Sequence, residues 1–193
     1  MPLVLLYLAN TMHSFSFTGS LTFLPTYMAK RTSFQIFSLD SIAIGGILSA
    51  FVLSMGIFGQ YGGGVLSQKP YLERKFLIIS IISFPLIFAI SFTTNLLLLI
   101  LALTYFLFNF FLQPMNNTLL AQYTTIDMRG TAFGIFFFIA FGFGSLSSSF
   151  SGYIAQTFGL QWVFMALSSS TLCLIIIAFL IQKFKKPSNG AVV

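Results

Sequence analysis

Four long stretches of the chain contain no charged side chain, and this pattern constrains its fold more than any other feature. They cover residues 1–29, 41–68, 76–126 and 130–182. A helix needs about 20 apolar residues to cross a hydrocarbon core of roughly 30 Å. The first two stretches each have room for one such helix, and the last two have room for two each. We therefore predict an all-α membrane protein with six transmembrane helices.

Composition excludes a soluble domain and a disordered chain. Only 6% of the 193 residues are charged and 57% are hydrophobic, whereas a soluble domain carries roughly 25% charged residues. Disordered chains are poor in apolar residues, so disorder is excluded as well. We predict a transmembrane domain over residues 1–183 and a disordered cytoplasmic tail over residues 184–193. Within the domain, the predicted spans are residues 3–28, 42–67, 76–92, 95–122, 130–157 and 160–182.

The basic residues are shared unequally between the two ends of these spans. Six spans place only Lys30 and Arg31 on one side, and the remaining basic residues on the side of both termini. Cytoplasmic loops carry the excess of Lys and Arg, so both termini are predicted to be cytoplasmic in a multi-pass plasma-membrane protein. The basic residues lie between apolar runs, which indicates the lipid bilayer as partner and not nucleic acid. The cytoplasmic set comprises Lys69, Arg74, Lys75, Arg129, Lys183, Lys185 and Lys186.

Polar side chains follow one face of the first helix and one face of the fourth. Amides in hydrocarbon need hydrogen-bond partners or water, so both faces are predicted to point inward. Two interpretations stay open: hydrogen bonds between helices, or the lining of a solute cavity. In the second case the solute contacts are Asn10, Ser14, Asn109, Gln113 and Asn116, with His13 at the edge of the first face as an auxiliary.

The remaining helices fall into two kinds. The second and fifth are rich in small residues at spacings that let backbones approach closely, either for static packing or for sliding. The third and sixth are plainly apolar and suit contact with lipid. The order polar-faced, small-rich, apolar therefore occurs twice, which predicts two three-helix repeats, a device of transporters.

The chain contains no sequence motif of an enzyme. It has neither an HExxH metal motif nor a phosphate-binding loop, and His13 is its only histidine. No Asp or Glu lies within a predicted span, where a carboxylate commonly serves ion coupling. We therefore expect no enzymatic activity, no metal and no cofactor. Any ion coupling would rest on His13 or on another chain.

The loop after the second helix reads Gly63-Gly64-Val65-Leu66-Ser67-Gln68-Lys69, followed by Glu73-Arg74-Lys75. It resembles the Gly-x-Leu-x-Asp-Arg-x-Gly-Arg-Arg loop of the major facilitator superfamily, which joins the second and third helices of each six-helix half. Gln68 stands at the Asp position of that pattern. The positions that fit are Gly64, Leu66, Lys69, Arg74 and Lys75.

Two further segments are similar to the second half of that family. Residues 22–28 resemble the end of its seventh helix, and residues 127–134 resemble the Arg-Gly-x-x-x-Gly start of its eleventh. The resemblance implies the C-terminal half of a secondary active transporter. In such a half, the first and fourth helices line the cavity and the second and fifth face the other half. Loop 64–75 and Arg129 would then act at a cytoplasmic gate.

Size separates this chain from the family, which has two six-helix halves. The difference is explained by a truncated gene product, by a half-transporter that pairs with a second six-helix half, or by a degenerate remnant, and we expect truncation. An uncharged cavity suits a small neutral or amphipathic solute. The rival function is a non-transporting membrane assembly subunit that docks through its second and fifth helices.

Overall fold

The computed structural model describes residues 2–34 and 39–184. Six long α-helices fill this part of the chain, and the all-α fold class is confirmed. Their bounds are α1 Pro2–Arg31, α2 Ser41–Ser67, α3 Leu72–Ile90, α4 Asn95–Tyr123, α5 Arg129–Thr157 and α6 Gln161–Lys183, with a short 3-10 turn at Ile126–Met128. The predicted tail, apart from Phe184, lies outside the described residues.

Local sequence accounts for several helix ends. The Asp40 carboxylate accepts the Ala43 amide at 2.8 Å and caps the start of α2. Gly159, at φ 101°, turns the chain between α5 and α6, in a backbone region that glycine adopts without steric cost. Asn95 begins α4 at φ 54°, and its side chain accepts the Ser33 amide at 2.8 Å. This bond ties the segment after α1 to the turn between α3 and α4.

Helix α1 is the centre of the bundle, because it packs against α2, α4, α5 and α6. Around it, α2 packs on α4, and α3 packs on both α4 and α6. Apolar side chains form two clusters, one toward each end of the bundle. The first cluster contains Leu24 and Leu98, and the second contains Leu6 and Leu119. The polar residues of α1 between positions 10 and 20 lie between these clusters.

Glycines let α2 approach its neighbours closely, as the small-residue pattern predicts. A Cβ atom on Gly63 would lie 2.6 Å from the Phe111 carbonyl oxygen and 2.6 Å from Pro114 Cγ. At the other end of α2, Gly45 leaves equally little room beside the Pro25 carbonyl of α1. The close packing predicted for α2 is thus confirmed, and its partners are α4 and α1.

Within the described residues, four helical segments are long and apolar enough to cross a membrane. Helix α1 falls outside this count because its central polar residues lower its mean hydropathy. The 19-residue α3 falls outside it because charged side chains occupy its first turn. The four segments are Ser41–Ser67, Asn95–Tyr123, Ile126–Thr157 and Gln161–Lys183.

Candidate solute site between helices 1, 4 and 5

A buried hydrogen bond joins α1 to α4 near the middle of both helices. His13 Nε2 lies 2.9 Å from Asn109 Oδ1, and the two residues are only 3% and 2% exposed. An amide oxygen can only accept, so His13 is the donor and carries its proton on Nε2. The bond therefore satisfies one polar atom on each helix in an apolar surrounding.

On the adjoining part of its surface, α1 is bonded to the backbone of α5. Asn10 Nδ2 donates to the Phe136 carbonyl oxygen at 3.0 Å, and Tyr7 Oη donates to the Ala132 carbonyl oxygen at 3.2 Å. A helical carbonyl keeps a second lone pair after its own helix bond, so these contacts need no break in α5. Ser14, which is 9% exposed, lies on this same side of α1.

The other two predicted solute contacts on α4, Gln113 and Asn116, differ in their hydrogen bonding. Gln113 is half-buried, and its Oε1 accepts a hydrogen bond from Gln60 Nε2 on α2. Asn116 is 1% exposed, and in the described part of the chain neither atom of its carboxamide has a hydrogen-bond partner. The structure thus brings Asn10, His13 and Asn109 to one level, with Asn116 two turns further along α4.

A second polar layer lies one turn away, and sequence reasoning placed Tyr105 on a polar face but missed the hydroxyl groups that bond to it. Ser16 Oγ shares hydrogen bonds with Tyr105 Oη at 3.1 Å and with Thr171 Oγ1 of α6 at 3.0 Å. Ser20 Oγ lies 3.4 Å from the same Tyr105 Oη. The available signal was the four-residue spacing of Ser16 and Ser20, which places both on the side of α1 away from Thr18.

At the cytoplasmic gate predicted from the loop motif, one basic side chain ties α3 to α2. Lys75 Nζ donates to the Leu66 carbonyl oxygen at 3.1 Å, near the end of α2. Burial lowers the pKa of the Lys75 ammonium, and the positive charge of Lys69 lowers it further. Gly64 accepts the Ser67 hydroxyl at 2.7 Å in the last turn of α2, while Lys69 and Arg74 are exposed.

Two more contacts join helix ends in this predicted gate region. Arg129 Nη2 donates to the Ala121 carbonyl oxygen at 3.2 Å and links α5 to α4. Tyr123 Oη donates to Glu73 Oε1 at 3.3 Å and links α4 to α3. Glu73 is only 4% exposed, and the sequence pattern did not single it out. Among the described residues, no group of three or more His, Cys, Asp or Glu side chains could hold a metal ion.

Long apolar helices packed around a central helix with buried amides define the class of this protein, a helical membrane protein. The model of the Major Facilitator Superfamily matches residues 6–192. The chain therefore belongs to that family, and it is an integral membrane protein with a transporter-type domain.

Two solved structures share the fold. Both are crystal structures of a mutant of the peptide transporter POT, one in complex with alafosfalin and one with sulfate. Each aligns with a TM-score of 0.75 and 19% sequence identity over 94% of this chain. The aligned part covers 38% and 37% of those chains, so this chain spans well under half of their length. No curated protein matches the chain.

Proposed function

We propose that the chain crosses the plasma membrane six times, with both termini in the cytoplasm. It would form the C-terminal half of a secondary active transporter that moves a small solute by alternating access. Two matching helix pairs support an arrangement of two three-helix repeats: α2 packs on α4, and α5 packs on α1. In each pair, a glycine of the helix rich in small residues lies in the contact. Gly63 of α2 lies against α4, and Gly144 of α5 lies against α1.

The proposed solute site comprises Asn10, His13, Ser14, Asn109, Gln113 and Asn116. The unpartnered carboxamide of Asn116 carries this proposal. A buried amide without hydrogen bonds costs roughly 2–7 kcal/mol, depending on the reference state. A solute that reached it would recover that cost with one donor and one acceptor. Since the site holds no carboxylate or basic side chain apart from His13, a neutral or amphipathic solute suits it.

Access to this site would require α1, α4 and α5 to separate at the cytoplasmic end. Arg129 supports this role, because it holds the start of α5 to the end of α4 by a single hydrogen bond to a backbone carbonyl. Lys75 holds α3 to α2 by a bond of the same kind. Such bonds can break and re-form without burying a charge. The proposed gate comprises Gly64, Leu66, Lys69, Arg74, Lys75 and Arg129.

The proposed transporter also needs a second six-helix half, supplied by the same polypeptide or by another chain. Alternating access closes a site between two halves, and this chain spans under 40% of the matched structures. The exposed aromatic side chains of α5, among them Phe138 and Phe141, provide a surface for such contact.

Uptake by proteoliposomes tests the proposal, with the chain reconstituted alone and with a co-expressed six-helix partner. Radiolabelled probes would be a hexose, a neutral amino acid and a neutral dipeptide, the last because the structural neighbours are peptide transporters. We expect Asn116→Ala and Asn109→Ala to reduce uptake at least tenfold. Asn117→Ala, at the next and less buried position of α4, is the matched control. Unchanged uptake and affinity in both site variants would refute the assignment.

The rival function is a membrane assembly subunit that moves no solute. It is favoured by the exposed apolar faces of α2 and α5, which include Phe58, Tyr61 and Phe143. Exposed apolar faces suit contacts with another protein as well as with lipid. A stable complex with a partner protein that shows no flux for any probe would support this function over transport.

A further inference from the structure

An apolar groove lies between α5 and α6, at the end of the bundle where α1 also ends. Its volume is about 360 Å³. On each side of the groove, successive turns of the chain contribute side chains to the lining. Those on α5 and the following turn are Ile154 and Phe158, and those on α6 are Trp162, Met165 and Ala166. No lining side chain carries a charge, and only the Trp162 indole has a hydrogen-bond donor.

A basic side chain stands at the same end of the bundle. Arg31 Nη2 donates to Gln161 Oε1 at 2.8 Å, and Gln161 directly precedes the groove residue Trp162. The Arg31 guanidinium also lies 5.6 Å from the centre of the Tyr27 ring. A guanidinium has five N–H donors, and within residues 2–34 and 39–184 no carboxylate pairs with this one. The contacts with Gln161 and Tyr27 thus hold the Arg31 guanidinium in place but do not neutralise its charge.

We propose that this groove binds an acyl chain of an anionic phospholipid, whose phosphate is held by Arg31. An uncharged apolar groove in an integral membrane protein is in contact with acyl chains, which fill it without desolvating any polar group. Arg binds phosphate through paired N–H donors. Trp162 fits the same picture, since Trp is enriched where the hydrocarbon meets the headgroups.

The site is independent of solute transport and rests only on insertion of the bundle in a membrane. The complementary charge of Arg31 is what selects an anionic headgroup over a neutral one. A basic side chain near a membrane surface contributes about 1 kcal/mol toward anionic lipid, which corresponds to a preference of about fivefold.

Fluorescence quenching tests the proposal directly, because Trp162 is the only tryptophan of the chain. The full chain is reconstituted in phosphatidylcholine bilayers that contain increasing amounts of phosphatidylglycerol with brominated acyl chains. Brominated phosphatidylcholine serves as the neutral comparison. We expect half-maximal quenching at a mole fraction about fivefold lower for the anionic lipid. Equal quenching by the two lipids would overturn the proposal.

Two charge variants separate this site from diffuse attraction. Arg31→Gln should remove the preference for the anionic lipid, and Arg31→Lys should keep most of it. Lys30→Gln changes the net charge equally at the adjacent, exposed position and should leave the preference intact. An equal loss in Arg31→Gln and Lys30→Gln would show diffuse attraction and contradict the site.

A third variant tests the groove itself. Ala166→Phe fills it, so quenching by both lipids should fall while the anionic preference changes little. Quenching that is unaffected by Ala166→Phe would place the acyl chain elsewhere and overturn the proposal. Because quenching needs no flux, a failure here is distinguishable from a failure of the transporter assignment.

Discussion

Helices α2 and α5 occupy equivalent places in the order of helices, yet they are anchored in different ways. In α2, Gly63 brings the backbone onto the backbone of α4. In α5, contact with α1 runs through side chains: Asn10 bonds to the Phe136 carbonyl, and the Thr18 hydroxyl sits beside Gly144. In the apolar stretch of α2, 39% is buried inside the bundle, whereas in that of α5 only 17% is buried.

This difference indicates which of the two contacts can change. Two backbones in van der Waals contact have no rotamers with which to adjust, so the α2–α4 pair is expected to move as one body. A contact made by side-chain hydrogen bonds can break, rotate and re-form at a modest energetic cost. The proposed solute site lies beside this second kind of contact, which would suit a helix that shifts in the proposed transport cycle.

The largest expected effect comes from breaking the α2–α4 contact with Gly63→Ala. The new Cβ atom meets the Phe111 carbonyl oxygen at 2.6 Å and its Cα at 2.8 Å, so the backbone itself must move. We expect a loss of about 3 kcal/mol of unfolding free energy, the upper part of the range for overpacking. Thermal unfolding of the detergent-solubilised protein measures it.

The matched control is Gly46→Ala in the same helix, where a Cβ atom meets nothing within 4 Å. It should cost no stability, since alanine is the better helix former by about 1 kcal/mol. Equal losses in the two variants would mean that α2 does not rest on α4 through Gly63.

A smaller effect is expected from Gly144→Ala in α5, the equivalent change at the other contact. Its Cβ atom would meet Thr18 Oγ1 at 2.8 Å, and a hydroxyl can rotate away. We expect a loss of about 1 kcal/mol, at the low end of the overpacking range, again by thermal unfolding. Gly142→Ala, which meets nothing within 4 Å, is the control. If Gly144→Ala cost as much as Gly63→Ala, the distinction between the two contacts would be lost.

Much of this fold follows from the sequence by simple physics. Charge-free stretches separated by short breaks indicate where helices run, because a charge is expensive in hydrocarbon. The spacing of Asn109 and Asn116 places both amides on one face of α4, and both are buried. The glycines of α2 predict a close backbone contact but not its partner, because that choice depends on the tertiary arrangement.

What the sequence does not show is how polar groups are paired. Asn109 and Asn116 are equivalent by periodicity, yet Asn109 meets His13 and Asn116 meets no partner in the described part of the chain. The difference depends on where α1 crosses α4, which no local pattern encodes. Ser16 and Ser20 were missed for another reason: hydroxyls are only weakly polar and often bond to their own helix, so their pairing with Tyr105 leaves little trace in hydropathy.

The smallest effect tests whether the side-chain contact of α5 is as weak as its geometry suggests. Asn10→Leu keeps the side-chain volume and removes the hydrogen bond to Phe136. The Phe136 carbonyl retains its acceptor role within α5, so no buried polar atom is left unpaired. Bonds between membrane helices average about 0.6 kcal/mol, and the loss of unfolding free energy should be of that size.

Hydrogen exchange in residues 130–145 should rise measurably while exchange in α2 stays unchanged. Thr11→Val, which removes only a bond within α1, should leave both helices as they were. Faster exchange in α2 as well as α5 would contradict the comparison, because it would show that the two helices depend on α1 equally.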